Sequence, residues 1–338
     1  MLETIDFFKV QYLQLLTENG HLKDKYFYQI DKSILLDIYY SIVKTRTFDR
    51  KAIALQRTGM LGTFPSSFGQ EAIYVVIGKL MQKEDILCPY YRDQGAMMMR
   101  GVLAEEIFAY WGGDERGNNY KNQPHDFPIN VPIGSQCLHA VGAAFAIRYR
   151  KQKRAVVTTI GDGGTSKGDF YEALNFASLH SLPIVFIINN NKWAISTPVK
   201  KQTNTSSLAQ KAIAAGIDCI KVDGNDVFAL HYAINNALTK AYNQDGPFLI
   251  EAETYRLHDH TTADDATRYN PKAELDVAIN KEPLIRLSKY LGLTPEDKAN
   301  MDSKAKHEIQ HAADIFLKMK PQCRSDIKKY LYAEIKYD

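Results

Sequence analysis

Apolar positions in the middle of the chain alternate between short continuous runs and helical spacing. The runs at 155–160 and 184–188 are rich in Val and Ile and have the length of buried strands. Between them, Phe170, Leu174 and Ala177 recur at i, i+4 and i+7, which places them on one face of a helix. The pattern therefore predicts a strand–helix–strand unit.

A second unit of the same kind follows, with its strand, helix and strand predicted at 217–222, 226–243 and 247–254. Alternating strands and helices are typical of α/β proteins, in which ligands bind at the carboxyl ends of the strands. The predicted fold class is therefore α/β, with a doubly wound, mostly parallel sheet and a C-terminal helical region.

Three zones are predicted along the chain. Residues 1–33 are polar and aromatic without a clear period, and we interpret them as an N-terminal arm. Residues 34–280 carry the alternating pattern and are predicted to form the ligand-binding domain. Residues 281–338 are rich in Lys, Glu and Ala at helical spacing, which predicts helices.

A glycine-rich turn joins the first predicted strand to its helix. Gly161, Asp162 and Gly163 are separated by 26 residues from Asn190 and Asn191, which end the next strand. A turn that exposes backbone N–H groups at the start of a helix suits phosphate. The side chains of Asp162 and Asn191 would converge beside it, and oxygen ligands with a diphosphate make a Mg²⁺ site. An ordinary turn aspartate is the alternative for Asp162.

Composition and charge narrow the classes of function. The chain has 338 residues, and its formal net charge of +3 indicates no dedicated polyanion partner. Its four cysteines lack CxxC spacing, which indicates neither a zinc site nor a disulfide framework. No apolar run reaches the ~18 residues that span a bilayer. The first residues lack a secretory or Arg-rich pattern. We therefore expect a cytoplasmic protein without membrane or nucleic-acid partners, and interpret the basic run 148–154 as cations at a helix C-terminus.

Several motifs occur in the order found in one enzyme family. The spacing GDG-x26-NN resembles the thiamine-diphosphate fingerprint. GQEA at 69–72, YYRDQG at 90–95, IGSQ at 133–136 and the segment RLHDHTT…DD…TRY at 256–269 surround it in that family's order. Over roughly residues 40–290, the chain is similar to the α subunits of the E1 component of 2-oxoacid dehydrogenase complexes.

The resemblance implies thiamine diphosphate and Mg²⁺ as cofactors, bound by the domain at 34–280. It implies that the metal ligands are Asp162, Asn191 and the backbone carbonyl of Trp193. The cofactor-binding residues that it implies are Tyr91, Arg92, Ile133, Asp162, Gly163, Gly164, Asn191, Ile195, Arg256 and His260. His260 is implied to be catalytic, with an imidazole that titrates near neutrality and donates a proton to a dithiolane sulfur or an acyl oxygen.

Other roles stay open for some of these residues. The large side chain of Ile195, which the resemblance places under the cofactor, could instead pack in the core. Arg92, expected on the diphosphate, could be a surface residue paired with Asp93. The side chains of His258 and His260 lie two residues apart, so they could bind a metal ion.

The segment before GQEA differs from the family's pattern. Phe64 and Phe68 could form an apolar wall of a narrow substrate pocket, and Ser66 or Ser67 could bind a carboxylate. Equally, all four side chains could pack the turn.

The resemblance also implies partners. In this family a separate β chain supplies the carboxylic acid beside the cofactor's pyrimidine, so we expect an α2β2 tetramer that is active only when assembled. The expected reaction is oxidative decarboxylation of pyruvate with transfer of the acetyl group to a lipoyl group of E2. The lipoyl and subunit-binding domains of E2 would then be partners. A branched-chain 2-oxo acid or acetoin as substrate and a non-catalytic scaffold role are alternatives.

Overall fold

The chain forms one parallel sheet with helices on both faces. The computed structural model describes residues 2–3 and 8–323. Residues 1 and 4–7 of the predicted arm and residues 324–338 of the predicted C-terminal region lie outside the described residues. The strands are β1 (Gln11–Leu13), β2 (Ile86–Cys88), β3 (Val156–Gly161), β4 (Ile184–Asn190), β5 (Trp193–Ala194), β6 (Thr197–Pro198), β7 (Asp218–Asp223) and β8 (Phe248–Glu253).

Six strands pair in parallel in the order β1-β7-β8-β4-β3-β2, and β5 forms a separate antiparallel hairpin with β6. The helices are α1 (Lys32–Arg57), α2 (Glu71–Leu80), α3 (Gln94–Arg100), α4 (Ala104–Trp111), α5 (Ser135–Tyr149), α6 (Gly168–Leu179), α7 (Gln210–Ile213), α8 (Val227–Tyr242), α9 (Lys272–Ile279), α10 (Pro283–Leu291) and α11 (Pro295–Leu317). Short 3₁₀ helices span Glu115–Asn118, Gly163–Ser166, Val199–Lys201 and Ala266–Arg268.

Consecutive residues of β4 point to opposite faces of the sheet, and all of them are buried. Val185 and Ile187 pack into a core shared with α1, α2 and α8. Phe186 and Ile188 pack into a second core with α5, α6 and α7. Helices therefore cover both faces, as a parallel sheet requires. This arrangement confirms the predicted doubly wound α/β fold.

The predicted strand–helix–strand units lie close to the observed ones. The apolar runs at 155–160 and 184–188 correspond to β3 and to most of β4. Phe170, Leu174 and Ala177 lie in α6 and are completely buried, as their helical spacing predicts. The second unit corresponds to β7, α8 and β8.

The N-terminal segment contributes an edge strand that the sequence pattern did not indicate. Three residues of β1 pair with β7. The backbone N–H groups of Leu15 and Leu16 donate to the carboxylate of Asp226, at 2.5 and 2.7 Å. Asp226 also caps the N-terminus of α8. The sheet therefore includes part of the zone interpreted as an arm, while the division of the chain into zones stays a prediction.

The described part of the C-terminal region consists of α10 and α11. Gly292, with a φ of +66°, ends α10, and Thr294 and Asp297 form a reciprocal capping box at the start of α11. Ile309 and Ala313 of α11 are buried in the core shared with α1. No helix in the described part of the chain has the length and apolar content needed to cross a membrane.

Candidate cofactor site

The carboxyl ends of β3 and β4 lie side by side and open onto one cavity. Gly161 pairs with Asn189 across the two strands, so the GDG turn and Asn191 are neighbours. The cavity has a volume of about 500 Å³. Its walls include ten of the eleven residues predicted for the site, namely Tyr91, Arg92, Ile133, Asp162, Gly163, Gly164, Asn191, Trp193, Ile195 and His260. The eleventh, Arg256, holds the backbone of the loop that follows Asn191.

Asp162 is a buried carboxylate at the wall of this cavity. Its residue is 2% exposed, and burial raises the pKa of its carboxyl group to about 6. The Nε2 atom of Gln202 donates to Asp162 Oδ2 at 3.0 Å, which partly opposes that rise. Lys192 and Arg256 also lower the pKa through their positive charges. At neutral pH the site therefore holds an anionic oxygen donor with little access to water, which suits a cation.

Both ends of the Asn191 side chain have hydrogen-bond partners. Its Oδ1 atom accepts from the backbone N–H of Trp193 at 3.1 Å. Its Nδ2 atom donates to Gln70 Oε1 at 2.9 Å. These two contacts orient the amide so that its oxygen lies on the side of the loop that carries Trp193.

Arg256 organises the backbone of the same loop. Its guanidinium donates to the carbonyl of Trp193 at 3.2 Å and to the carbonyl of Ile195 at 2.8 Å. It also donates to the Tyr269 hydroxyl at 2.6 Å. The Trp193 carbonyl, predicted as a metal ligand, thus already has one donor, and its second lone pair is available to a cation.

Two glycines of the turn have no room for a side chain. A Cβ at Gly163 would lie 2.4 Å from the Cβ of Ala194, and a Cβ at Gly164 would lie 2.6 Å from Cγ1 of Ile160. The resemblance implies that both glycines are cofactor-binding residues. Protein packing alone already requires them.

Ile195 has an unusual backbone conformation. Its φ of +54° is in the left-handed region, which a β-branched residue rarely adopts. The residue is 54% exposed and its side chain lines the cavity. Core packing, the alternative role, therefore does not describe it. Strained residues of this kind cluster at functional sites.

Arg92 is buried beneath the cavity and is 1% exposed. Its guanidinium donates to the backbone carbonyls of Ser66 and His260, the latter at 3.2 Å. The alternative was a surface arginine paired with Asp93. Among the described residues no ion pair joins Arg92 to Asp93, whose carboxylate accepts from the Thr159 hydroxyl and the Tyr90 backbone N–H instead. Arg92 is therefore a buried cation at the wall of the cavity and not a surface arginine.

His260 lies between two arginines at the cavity. Its Nδ1 atom is 3.3 Å from Arg92 Nη2 and 3.5 Å from Arg256 Nη1, and its ring meets that of Tyr91 edge to face at 6.1 Å. Burial and the two guanidinium charges lower the pKa of His260 to about 3. A pKa this far below neutrality favours the neutral imidazole at pH 7, and the proton donation expected of His260 stays a prediction.

The loop that carries His260 is held by several hydrogen bonds. Asp264 accepts from the His260 backbone N–H at 2.8 Å and from the Tyr269 hydroxyl. Thr262 exchanges two hydrogen bonds of 3.0 Å with the backbone of Phe64. These contacts tie the loop to the segment that precedes GQEA, so both segments are positioned together at the cavity.

The metal-site interpretation of the two histidines finds no support in the described residues. No group of three or more His, Cys, Asp or Glu side chains there could hold a metal ion. The ring of His258 instead packs against Phe68 at 5.2 Å, whereas His260 contacts Arg92 and Arg256.

Phe64 and Phe68, considered as an apolar wall of the substrate pocket, pack against other side chains and do not line the cavity. Phe64 is completely buried and packs edge to face on Phe48 and Trp111. Phe68 contacts His258, and neither phenylalanine lines the cavity. The hydroxyl of Ser67 donates to Asp49. The packing alternative therefore describes Phe64 and Ser67.

Three glutamines contribute to the site without having been predicted. Gln202 holds Asp162, Gln70 holds Asn191, and Gln136 lines the cavity with its Nε2 bonded to the Thr159 carbonyl at 2.8 Å. Gln70 and Gln136 belong to the GQEA and IGSQ motifs, so the signal was present in the sequence. Their side-chain partners depend on contacts between distant segments.

The fold and the cavity define an α/β protein in which a buried carboxylate, an asparagine and a buried arginine line one cavity at the carboxyl ends of two parallel strands. The model of the dehydrogenase E1 component family matches residues 39–322. The chain belongs to this family.

Three relatives named pyruvate dehydrogenase E1 component subunit alpha are similar to the chain over most of its length. The relative from Mycoplasma genitalium is 38% identical over 301 residues, covering 88% of this chain and 84% of the relative. The one from Acholeplasma laidlawii is 42% identical over 264 residues, covering 78% and 76%. The one from Staphylococcus aureus is 39% identical over 310 residues, covering 90% and 84%.

Proposed function

We propose that the chain is the α subunit of a pyruvate dehydrogenase E1 component. With a β subunit, it would bind thiamine diphosphate and Mg²⁺, decarboxylate pyruvate and transfer the acetyl group to a lipoyl group of E2. Membership of the dehydrogenase E1 component family and the names of the relatives support the reaction. The observation that carries the assignment of the site is the convergence of Asp162, Asn191 and Arg92 on one cavity.

The donor set fits a diphosphate with a magnesium ion. Asp162 offers a carboxylate oxygen and Asn191 an amide oxygen, and the Trp193 carbonyl retains a lone pair. Arg92 is buried, so an anion beside it would offset its desolvation. Gly163 and Gly164, at the start of a 3₁₀ helix, line the same cavity and would bring the backbone close to a phosphate.

Bound thiamine diphosphate supplies the nucleophile and the electron sink for loss of CO₂ from a 2-oxo acid. The chain's own residues then bind and orient. Ile195 presents a bulky apolar side chain to the cavity, and Ile133 presents a second one. His260, with a donor N–H at Nε2, would hydrogen-bond an oxygen or a sulfur of the reacting groups. Arg92, which lines the cavity beside it, would pair with the diphosphate, whereas Arg256 holds the loop backbone.

Among the described residues, the cavity has one carboxylate, whereas the family resemblance implies a second acid beside the pyrimidine of the cofactor. Among the described residues that line it, Asp162 is the only carboxylate. Because Asp162 is assigned to the metal ion, the acid beside the pyrimidine must come from another chain. This observation supports a β subunit seated over the cavity, and with it an α2β2 assembly.

Apolar residues exposed beside the cavity support such an interface. Val131, Ile133 and Ile195 are between 43% and 54% exposed at the cavity rim. Helices α5 and α6 also carry exposed apolar side chains, namely Leu138, Phe145, Tyr149, Tyr171, Phe176 and Leu179. Contiguous exposed apolar surface marks protein interfaces. The exposed apolar side chains at the cavity rim and on α5 and α6 therefore support contact with a second subunit.

Coexpression with the β subunit tests this function. The purified assembly, supplied with thiamine diphosphate and Mg²⁺, is assayed on pyruvate, 2-oxoisovalerate and acetoin with an artificial electron acceptor. We expect pyruvate to be preferred. Faster turnover of 2-oxoisovalerate or acetoin would replace the substrate assignment, and no turnover of any of them would favour the non-catalytic scaffold alternative.

A further inference from the structure

Gln70 is a completely buried residue whose side-chain oxygen serves two asparagines. Its Oε1 atom accepts from Asn191 Nδ2 at 2.9 Å and from Asn189 Nδ2 at 2.6 Å. Asn189 is held in turn by the hydroxyl of Thr254, which donates to its Oδ1 atom at 2.9 Å. The side-chain oxygen of the residue that directly precedes α2 therefore connects to the end of β4 and, through Asn189 and Thr254, to the end of β8.

The two contacts of Asn191 select one orientation of its amide. In the observed orientation, Nδ2 meets an acceptor on Gln70 and Oδ1 meets the N–H of Trp193. Rotation by 180° would bring Nδ2 against that N–H and Oδ1 against Gln70 Oε1. Both contacts would then be unsatisfied and buried, which is costly. Since a cation binds the oxygen and not the NH₂ group, the orientation decides whether Asn191 is a ligand.

The backbone around Gln70 fixes its place. Gly69 has a φ of +82°, and a Cβ there would lie 2.6 Å from the Tyr255 carbonyl oxygen. The Gln70 N–H donates to the Ser67 carbonyl at 2.8 Å, directly before α2 begins. The backbone therefore positions Gln70 between the start of α2 and the ends of β4 and β8. Its side chain does not line the cavity.

We propose that Gln70 is a positioning residue for the metal site: it orients the Asn191 amide so that its oxygen faces a divalent cation. This inference rests on the proposed function, because it takes Asn191 as a ligand of the cation. It does not make Gln70 a ligand. Residues that hold a ligand in this way typically contribute about 10–100-fold to metal affinity.

The test compares Mn²⁺ affinity, measured by electron paramagnetic resonance, in α2β2 assemblies saturated with thiamine diphosphate. Gln70→Met keeps the shape of the side chain but removes the oxygen, and we expect a loss of about 10–100-fold. Gln70→Glu keeps an oxygen acceptor and should bind Mn²⁺ nearly as the unsubstituted protein does. Gln123→Met is the matched control, because Gln123 is also a buried amide, bonded to the Arg100 carbonyl and outside the cavity.

A double-mutant cycle separates orientation from a general structural effect. In an Asn191→Asp background both ends of the side chain are oxygens, so no orientation needs to be selected. Gln70→Met should then cause little further loss. An equal loss in both backgrounds would overturn the proposal, and so would an unchanged affinity of Gln70→Met.

The controls also cover other outcomes. If the Gln70→Met assembly does not form, the Mn²⁺ affinity of Gln70→Glu tests the proposal alone. A large loss of Mn²⁺ affinity in that variant, which retains the oxygen acceptor, would contradict the proposal. If the unsubstituted assembly binds no Mn²⁺ with thiamine diphosphate, the proposed function fails before the role of Gln70 is tested.

Discussion

The Nδ1 atom of His260 lies 3.3 Å from the Nη2 atom of Arg92. A guanidinium group only donates hydrogen bonds, so Nδ1 is the acceptor and the proton of the neutral imidazole is on Nε2. Burial and the charges of Arg92 and Arg256 lower the pKa of His260 to about 3. A diphosphate beside the arginines would offset their charge, so cofactor binding should raise this pKa.

The low pKa of His260 makes stability depend on pH. The unfolded imidazole titrates near 6.5 and the folded one near 3, so the unfolded state binds more protons between these values. The contribution of His260 to stability is therefore fully present above pH 6.5 and is lost as the pH falls toward 3. In the cofactor-free protein, we expect His260→Gln to reduce the loss of stability between pH 7 and pH 5 by up to ~2 kcal/mol.

Thermal unfolding of both proteins at pH 7 and pH 5 checks this prediction. Adding thiamine diphosphate and Mg²⁺ should shrink the difference, because the pKa then rises. Identical pH dependence of the two proteins without cofactor would contradict the assigned state of His260.

The buried carboxylate of Asp162 should lower the stability of the metal-free folded protein, although binding of Mg²⁺ and the cofactor needs it. Its folded pKa of about 6 is above the unfolded value of 3.8, so its contribution to stability is fully present below 3.8 and is lost as the pH rises through 6. At pH 7 without metal, we expect Asp162→Asn to stabilise the protein by up to ~3 kcal/mol. The same variant should lose Mg²⁺-dependent cofactor binding.

Differential scanning calorimetry without metal and isothermal titration with thiamine diphosphate and Mg²⁺ measure the two effects. Asp169→Asn is a comparison on the same βα unit, at the start of α6 and outside the cavity walls. Cofactor affinity in Asp162→Asn equal to that of the unsubstituted protein would remove Asp162 from the metal site.

The left-handed backbone of Ile195 predicts a separation of stability from activity. Asn tolerates a φ of +54° better than Ile, so Ile195→Asn should relieve strain of ~1 kcal/mol. Ile195→Ala keeps the strain and removes only the bulk. We expect both variants to reduce turnover, but only Ile195→Asn to raise the midpoint of thermal unfolding. Full turnover of Ile195→Ala would show that the large side chain does not serve the cofactor.

The sequence predicted the parts of the site that lie within one βα unit. Asp162, Gly163 and Asn191 follow from the ends of β3 and β4, since parallel strands bring their carboxyl ends together. The periodicity of α6 followed from burial of Phe170 and Leu174 on one face. In these cases the local sequence pattern is enough to predict which residues lie next to each other in the fold.

Other contacts depend on the tertiary arrangement and left no local pattern. Gln70 is 121 positions from Asn191, and Gln202 is 40 positions from Asp162, so only the folded chain pairs them. The three residues of β1 are too few for a period-2 signal. Phe64 could have faced either the core or a cavity, and packing on Phe48 and Trp111 decides which.

The proposed catalytic role of His260 predicts that its loss affects acyl transfer more than decarboxylation. An Nε2–H donor stabilises developing charge on the sulfur or oxygen that receives the acyl group, and a positioned acid typically contributes about 10²–10⁴-fold to its own step. We therefore expect His260→Ala to reduce transfer to a lipoyl domain far more than reduction of an artificial acceptor. Equal losses in the two assays would remove the assignment to acyl transfer.

Dependence on a second subunit is the central claim, because Asp162 is the only carboxylate among the described residues that line the cavity. The most direct measurement is pyruvate decarboxylation, with thiamine diphosphate and Mg²⁺, by the purified chain alone and by the chain mixed with its β subunit. We predict no turnover by the chain alone and turnover by an α2β2 assembly that appears on mixing. Turnover of pyruvate by the chain alone would contradict the account.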